Sequence, residues 1–307
     1  MRIVSFLPSA TEIVCSLGLS DELVGITHEC DHPPEVQRKA VVVRNAIEMS
    51  GMGDCQIDEA VSQHLRSGRS IYRVDESLLR KLDPDLILTQ DLCQVCAPSG
   101  NEVSVVLKSL PREPRILWLT PTSLNGIFEN ILSIGEATDR SNAARKSVDD
   151  LKRRVALIQR KTEKIKNRPR VFCIEWFDPI YCSGHWMPEL VELAGGRDDL
   201  GRKGRDSVRL TWNDVQAWAP EVLILTPCGY DLEQTLSKAH VLAQYNGFES
   251  LPAVQKKQVY AVDANSYFAR PGPRVVDGLE LMAHLVHPEL FGWSGQSDAY
   301  QRLQTFP

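Results

Sequence analysis

Short apolar, β-rich runs alternate with amphipathic stretches along the whole chain, a pattern that predicts parallel α/β units. In the first half these runs predict strands over Arg2–Leu7, Leu23–Thr27, Val41–Arg44, Leu86–Gln90 and Arg115–Thr120. In the second half they predict strands over Arg170–Trp176, Ile180–Ser183, Val222–Thr226 and Gln258–Val262. A helix is predicted from about Ala10 to Leu17, and Pro33-Pro34, Asp83-Pro84, Pro111, Pro179 and Pro252 mark the edges of elements.

The two halves echo each other. Leu82-Asp83-Pro84-Asp85-Leu86-Ile87-Leu88-Thr89-Gln90 parallels Trp218-Ala219-Pro220-Glu221-Val222-Leu223-Ile224-Leu225-Thr226, and each proline follows by nine residues an N-cap residue, Asp75 or Thr211. Leu110-Pro111 before one strand is matched by Leu251-Pro252 before another. Echoes in the same order predict two lobes of similar topology.

Between the halves, from Asp139 or Ser141 to about Lys166, apolar residues fall at Val148, Leu151, Val155, Ile158 and Ile165 on an otherwise charged helix. A helix of that length is a stiff strut, whereas a Gly/Ser linker would let the lobes wander. The expected architecture is therefore α/β: two Rossmann-like lobes joined by one long rigid helix, with a ligand cleft between the lobes. The expected boundaries are residues 1–121 for the first lobe, 122–168 for the helical connection and 169–307 for the second lobe.

Composition narrows the function. The 307 residues carry 35 Lys+Arg against 40 Asp+Glu, a net charge of −5. That balance leaves no basic footprint for a nucleic-acid partner. No run reaches the roughly 18 apolar residues of a membrane-spanning helix. Arg2 is the only early base, and Ile3–Leu7 stops at Pro8-Ser9, which reads as strand, turn and helix rather than as a signal peptide. The polypeptide as given is accordingly expected to be cytoplasmic, or periplasmic if a leader has been removed. The eight cysteines at 15, 30, 55, 93, 96, 173, 182 and 228 are too dispersed for a disulfide scaffold, and Cys15 and Cys173 lie in apolar patterns that suit inert buried thiols. G-x-S-x-G, Walker, H-E-x-x-H and G-x-G-x-x-G patterns are all missing, so the expectation is a protein without catalysis.

In open α/β sheets ligands bind outside the carboxyl ends of the strands, so the loops after the strands are the place to look for chemistry. In the first half these are Thr27–Pro34, with His28, Glu29, Cys30 and Asp31, and Gln90–Ala97, with Gln90, Asp91, Cys93 and Cys96. The second half offers Glu175–Asp178, Ser183–Trp186, Pro227–Tyr230 and Asn265–Gly272.

The opening Arg2-Ile3-Val4-Ser5-Phe6-Leu7-Pro8-Ser9-Ala10-Thr11-Glu12 resembles the start of the helical-backbone substrate-binding proteins for cobalamin, ferric siderophores and haem. The strand at 82–88, the long helix and Ala269-Arg270-Pro271-Gly272-Pro273-Arg274 fit the same family. The chain is most similar to its vitamin B12-binding branch and, through the 28–34 and 91–97 loops, to a leaderless, cysteine-containing subgroup. The resemblance implies a clamp for a corrinoid such as cobalamin or a precursor, working as a monomer and delivering to an ABC importer in the membrane. The missing leader and the thiols in the loops are departures from the family pattern.

A corrin or porphyrin is a large, mostly apolar plate with a polar rim, which calls for aromatic faces and a few anchors. Trp176, Phe177, Trp186, Tyr230, Tyr267 and Phe268 are the candidate faces. His28, Glu29, Asp31, His185 and Arg270 are the candidate anchors, Arg270 being suited to a carboxylate or phosphate. Cys93-Gln94-Val95-Cys96 reads in three ways: a redox pair, half of a zinc or iron site completed by Cys30 and His28, or soft ligands to a bound cobalt or iron. Plain reduced loop cysteines are the bland reading. The alternative functions are a thiol- or metal-dependent enzyme or metal chaperone built on Cys93, Cys96, Cys30 and His28, a binder of haem or a ferric siderophore, and an interaction module with an empty cleft.

Overall fold

The computed structural model describes residues 1–49, 51–67, 69–90 and 110–304. It divides into two compact units: residues 1–121 with 125–148, and residues 122–124 with 149–307.

The first unit is built on a six-stranded sheet of β1 (Ile3–Ser5), β2 (Leu23–Thr27), β3 (Ala40–Asn45), β4 (Tyr72–Val74), β5 (Leu86–Thr89) and β6 (Arg115–Trp118). Its spatial order is β4-β3-β2-β1-β5-β6, parallel throughout except that β4 runs against β3. The chain winds outward from β1 to β4 and then crosses back to β5, so the winding reverses between β1 and β5. The side chains of β5 are buried without alternation, as expected of a parallel strand covered on both faces.

The second unit has β7 (Val171–Trp176), β8 (Tyr181–Cys182), β9 (Gly184–His185), β10 (Arg202–Lys203), β11 (Val222–Leu225), β12 (Val259–Val262) and β13 (Tyr300–Arg302). Its five-stranded sheet has the order β13-β12-β11-β7-β8, parallel at the centre with antiparallel edges, and β9 pairs with β10 apart from it. Phe172, Ile174, Phe177, Leu223, Phe248 and Val259 lie in its core.

The internal echo is structural. Asp75 accepts from the Leu78 amide at 2.9 Å and opens helix Glu76–Leu82, while Thr211 accepts from Asp214 and opens helix Trp212–Trp218, each of 7 residues. Both helices end in a left-handed residue, Asp83 (φ 41°) and Ala219 (φ 48°), immediately before a proline. The proline crowds the preceding residue out of the right-handed helical region, so the chain turns sharply into β5 or β11.

The long helix runs Ser141–Thr162, and the division between the units falls within it. Ala144, Val148, Leu151 and Ile158 are its buried stripe. It stops short of the expected Lys166, at Thr162, whose hydroxyl donates to the carbonyls of Gln159 and Leu193. Among the other expectations, Leu23–Thr27 matches β2, and the remaining predicted strands lie within a few residues of observed ones. β4, β9, β10 and β13 have no forerunner in the pattern. They are two or three residues long, and pairing with a neighbour creates them rather than any periodicity of their own.

Candidate functional site

In the first unit, the carboxyl ends of β2 and β3 open into a pocket of about 510 Å³ walled by His28, Asn45, Glu48, Met49 and Arg73, among others. His28 follows β2 directly, and its amide donates to the Val43 carbonyl at 3.0 Å. Its ring Nδ1 approaches the same carbonyl at 3.2 Å, and its Nε2 is shielded from solvent without a hydrogen-bond partner. Arg73 arrives because β4 is antiparallel to β3: Arg44 pairs with Arg73 and Asn45 with Tyr72, which sets the start of β4 beside the end of β3. Arg73 is exposed and shares the pocket wall with His28.

Cys30 belongs to the interior instead. It is 4% exposed, with Sγ 3.1 Å from the Thr11 hydroxyl and 3.3 Å from that of Thr27. These two hydroxyls and its burial explain the thiol as a packing group, which corrects its assignment as a ligand-facing residue. Gln90 is also buried, while Glu29 is exposed and Asp31 half-buried beside it. Asp91, Cys93 and Cys96 lie outside the described residues. Among the described residues, no group of three or more His, Cys, Asp or Glu is placed to hold a metal ion.

In the second unit, Trp176 ends β7 and Tyr230 lies in the loop after β11, both half-buried. Their rings meet with centroids 5.4 Å apart and planes inclined by 57°. Backbone bonds tie the loops together: Cys228 N donates to Glu175 O at 3.2 Å, and Asn265 N to Tyr230 O at 3.0 Å. Trp186 is buried, and its indole nitrogen donates to the Phe268 carbonyl at 3.0 Å, so it braces the loop after β12. His185 stacks on Trp186, and its Nε2 sits 3.0 Å from Asp206 Oδ1. Its backbone takes the left-handed conformation (φ 50°), unusual for a residue with a Cβ.

Two aromatic assignments are corrected here. Phe177 is 0% exposed within the core of the second unit, and Phe268 is 1% exposed against helix Val275–Val286. Neither presents a face to a ligand, because burying a large apolar ring is favourable wherever the core has room for it. Tyr267 is largely buried and packs edge-on against Trp293, and Arg270 is 7% exposed. The buried carboxyl of Asp198 was missed by sequence reasoning. It accepts from the Ser183 hydroxyl and the amides of Leu200 and Gly201, and burial pushes its pKa up to about 6. The close Gly-Gly-Arg-Asp-Asp-Leu-Gly run at 195–201 is the signal that could have drawn attention to it.

A model of the periplasmic binding protein family matches residues 3–266. The chain belongs to that family. It is 26% identical over 298 residues to YvrC, an uncharacterized ABC transporter substrate-binding lipoprotein of Bacillus subtilis, covering 94% of this chain and 81% of the relative. It is equally 26% identical over 282 residues to the vitamin B12-binding protein of Vibrio cholerae, covering 91% and 86%. Among solved structures it resembles the periplasmic vitamin B12-binding protein BtuF of Vibrio cholerae, with a TM-score of 0.68 at 22% identity over 94% of this chain and 96% of that one. It also resembles Staphylococcus aureus IsdE complexed with heme, with a TM-score of 0.71 at 17% identity over 93% and 98%.

Family membership makes the chain a solute-binding protein of the kind that serves ABC importers, and not an enzyme. Among the described residues no helix is long and apolar enough to cross a membrane.

Proposed function

We propose that this protein binds a corrinoid, cobalamin or a precursor of it, at the carboxyl ends of its sheet strands and passes it to an ABC importer on the outer side of the cytoplasmic membrane. The observation that carries this reading is the Trp176–Tyr230 pair, two half-buried rings at the carboxyl ends of β7 and β11. Rings held in that way offer apolar area to a flat macrocycle at little conformational cost. In the first unit, the pocket of His28, Asn45 and Arg73 likewise lies at the carboxyl ends of strands and carries polar groups suited to an amide- or phosphate-bearing ligand. The vitamin B12-binding relative supports a corrinoid over other chelates.

A haem ligand is the second reading, favoured by the likeness of fold to heme-bound IsdE. Calorimetric titration with hydroxocobalamin, hemin and a ferric siderophore in parallel separates the readings. Saturable one-to-one binding with the corrinoid the tightest is the expected result. Tighter binding of hemin would replace the corrinoid by haem, and heat from none of the three would remove the proposal.

A further inference from the structure

We propose that the His28 imidazole supplies the axial nitrogen to the metal of the bound chelate. This rests on the reading above and adds the atom that meets the metal. The Val43 carbonyl can only accept, so its 3.2 Å contact assigns the proton of the neutral ring to Nδ1 and leaves the lone pair on Nε2. Metal-ligating histidines are oriented in this way, one ring nitrogen donating to a backbone carbonyl while the other faces the metal.

Nε2 has no hydrogen-bond partner and is shielded from solvent. The charged atom beside it is Glu29 Oε1 at 3.8 Å, an acceptor that offers the lone pair no hydrogen. An unsatisfied buried acceptor costs folding free energy, and its persistence beside a pocket marks a group whose partner is the ligand. The ring walls the 510 Å³ pocket, and its side chain is 24% exposed. Coordination requires the shielded Nε2 edge to be uncovered toward the space the ring already borders, with the Nδ1 contact to Val43 kept. Among the described residues, Glu29 stands beside the ring, and Glu48 and Arg73 line the same pocket.

The step is a ligand exchange without redox change: a nitrogen–metal bond forms from the Nε2 pair, and the water previously bound to the metal leaves as water.

The test uses the full chain with an aquo-corrinoid lacking the nucleotide base, and with hemin, following heat and visible spectrum together. The expected result is saturable heat with a shift of the chelate's visible bands, and nitrogen splitting in the electron paramagnetic resonance spectrum of the cobalt(II) form. His28→Ala and His28→Gln should still bind, about tenfold more weakly, with shift and splitting lost. Heat without a shift in the wild type, or a shift kept in His28→Gln, overturns the assignment while leaving the proposed function intact. Absence of heat with every chelate removes the proposed function and the assignment together. If neither variant folds, the wild-type nitrogen splitting decides, and its absence overturns the assignment.

Discussion

Trp176 and Tyr230, 54 residues apart in sequence, meet through their rings at a centroid distance of 5.4 Å. Phe177, next to Trp176 in sequence, is wholly buried in the core. Adjacent aromatics therefore have different roles, and mutagenesis separates them. Trp176→Ala and Tyr230→Ala should each weaken corrinoid binding by about 10- to 100-fold, with little change in stability. Phe177→Ala should cost about 3–5 kcal/mol of stability and leave the affinity of the folded protein nearly unchanged. Calorimetry and urea unfolding on the three variants provide the check.

Asp198 makes stability depend on pH. Its folded-state pKa of about 6 lies above the ordinary 3.8, so between these values the folded state holds more protons than the unfolded one. Stability must then fall as pH rises through that window, by about 1–3 kcal/mol in all. Asp198→Asn should remove this contribution, so the variant gains on the wild type from pH 4 to pH 6 and the difference is flat above. Urea unfolding across that range would show it, and a wild-type advantage that grows with pH would refute it.

Arg154, on the long helix, grips helix Val275–Val286: Nε and Nη2 donate to the two Glu280 oxygens at 2.8 and 2.7 Å, and Nη2 also reaches Asp277 Oδ1 at 2.5 Å. Hydrogen bonds to Glu280 and Asp277 push the guanidinium pKa higher still. About a third of each side chain remains exposed, so screening limits the effect. Arg154→Ala should cost about 1 kcal/mol, and Arg154→Lys should recover only part of it, because an ammonium cannot fork onto both oxygens. The loss should shrink in molar salt.

Gly278 reverses a common rule. Glycine to alanine inside a helix ordinarily stabilises by roughly 1 kcal/mol. Here an added Cβ would lie 2.1 Å from the Tyr267 carbonyl oxygen, a backbone atom of the neighbouring helix Ala264–Tyr267. Gly278→Ala should destabilise by at least about 2 kcal/mol, read as a lowered thermal midpoint.

The cysteines should sort by depth. Cys55 and Cys228 are exposed, Cys30 and Cys182 are buried, and burial drives the Cys173 thiol well above its usual pKa. Iodoacetamide at pH 8 should label Cys55 and Cys228 rapidly and spare Cys30, Cys173 and Cys182 until urea is added, with sites mapped by mass spectrometry. Rapid native labelling of Cys30 would return it to the ligand-facing set.

The parallel strands, the twin capped helices ending before Pro84 and Pro220, and the buried stripe of the long helix were all legible because their signals are local. Periodicity, a cap residue or a proline fixes each within a few residues. Local pattern also named the loops that follow the strands, and so His28, Trp176 and Tyr230. Only tertiary structure could decide which side of a loop each residue occupies. Phe177 and Phe268 went into cores, Cys30 found the hydroxyls of Thr11 and Thr27, and Arg73 reached the His28 pocket through the antiparallel pairing of β3 with β4. Apart from Cys30 and Thr27, which are close in sequence, such contacts join residues far apart along the chain. Packing and register set them, and the sequence around any one partner carries no record of the other.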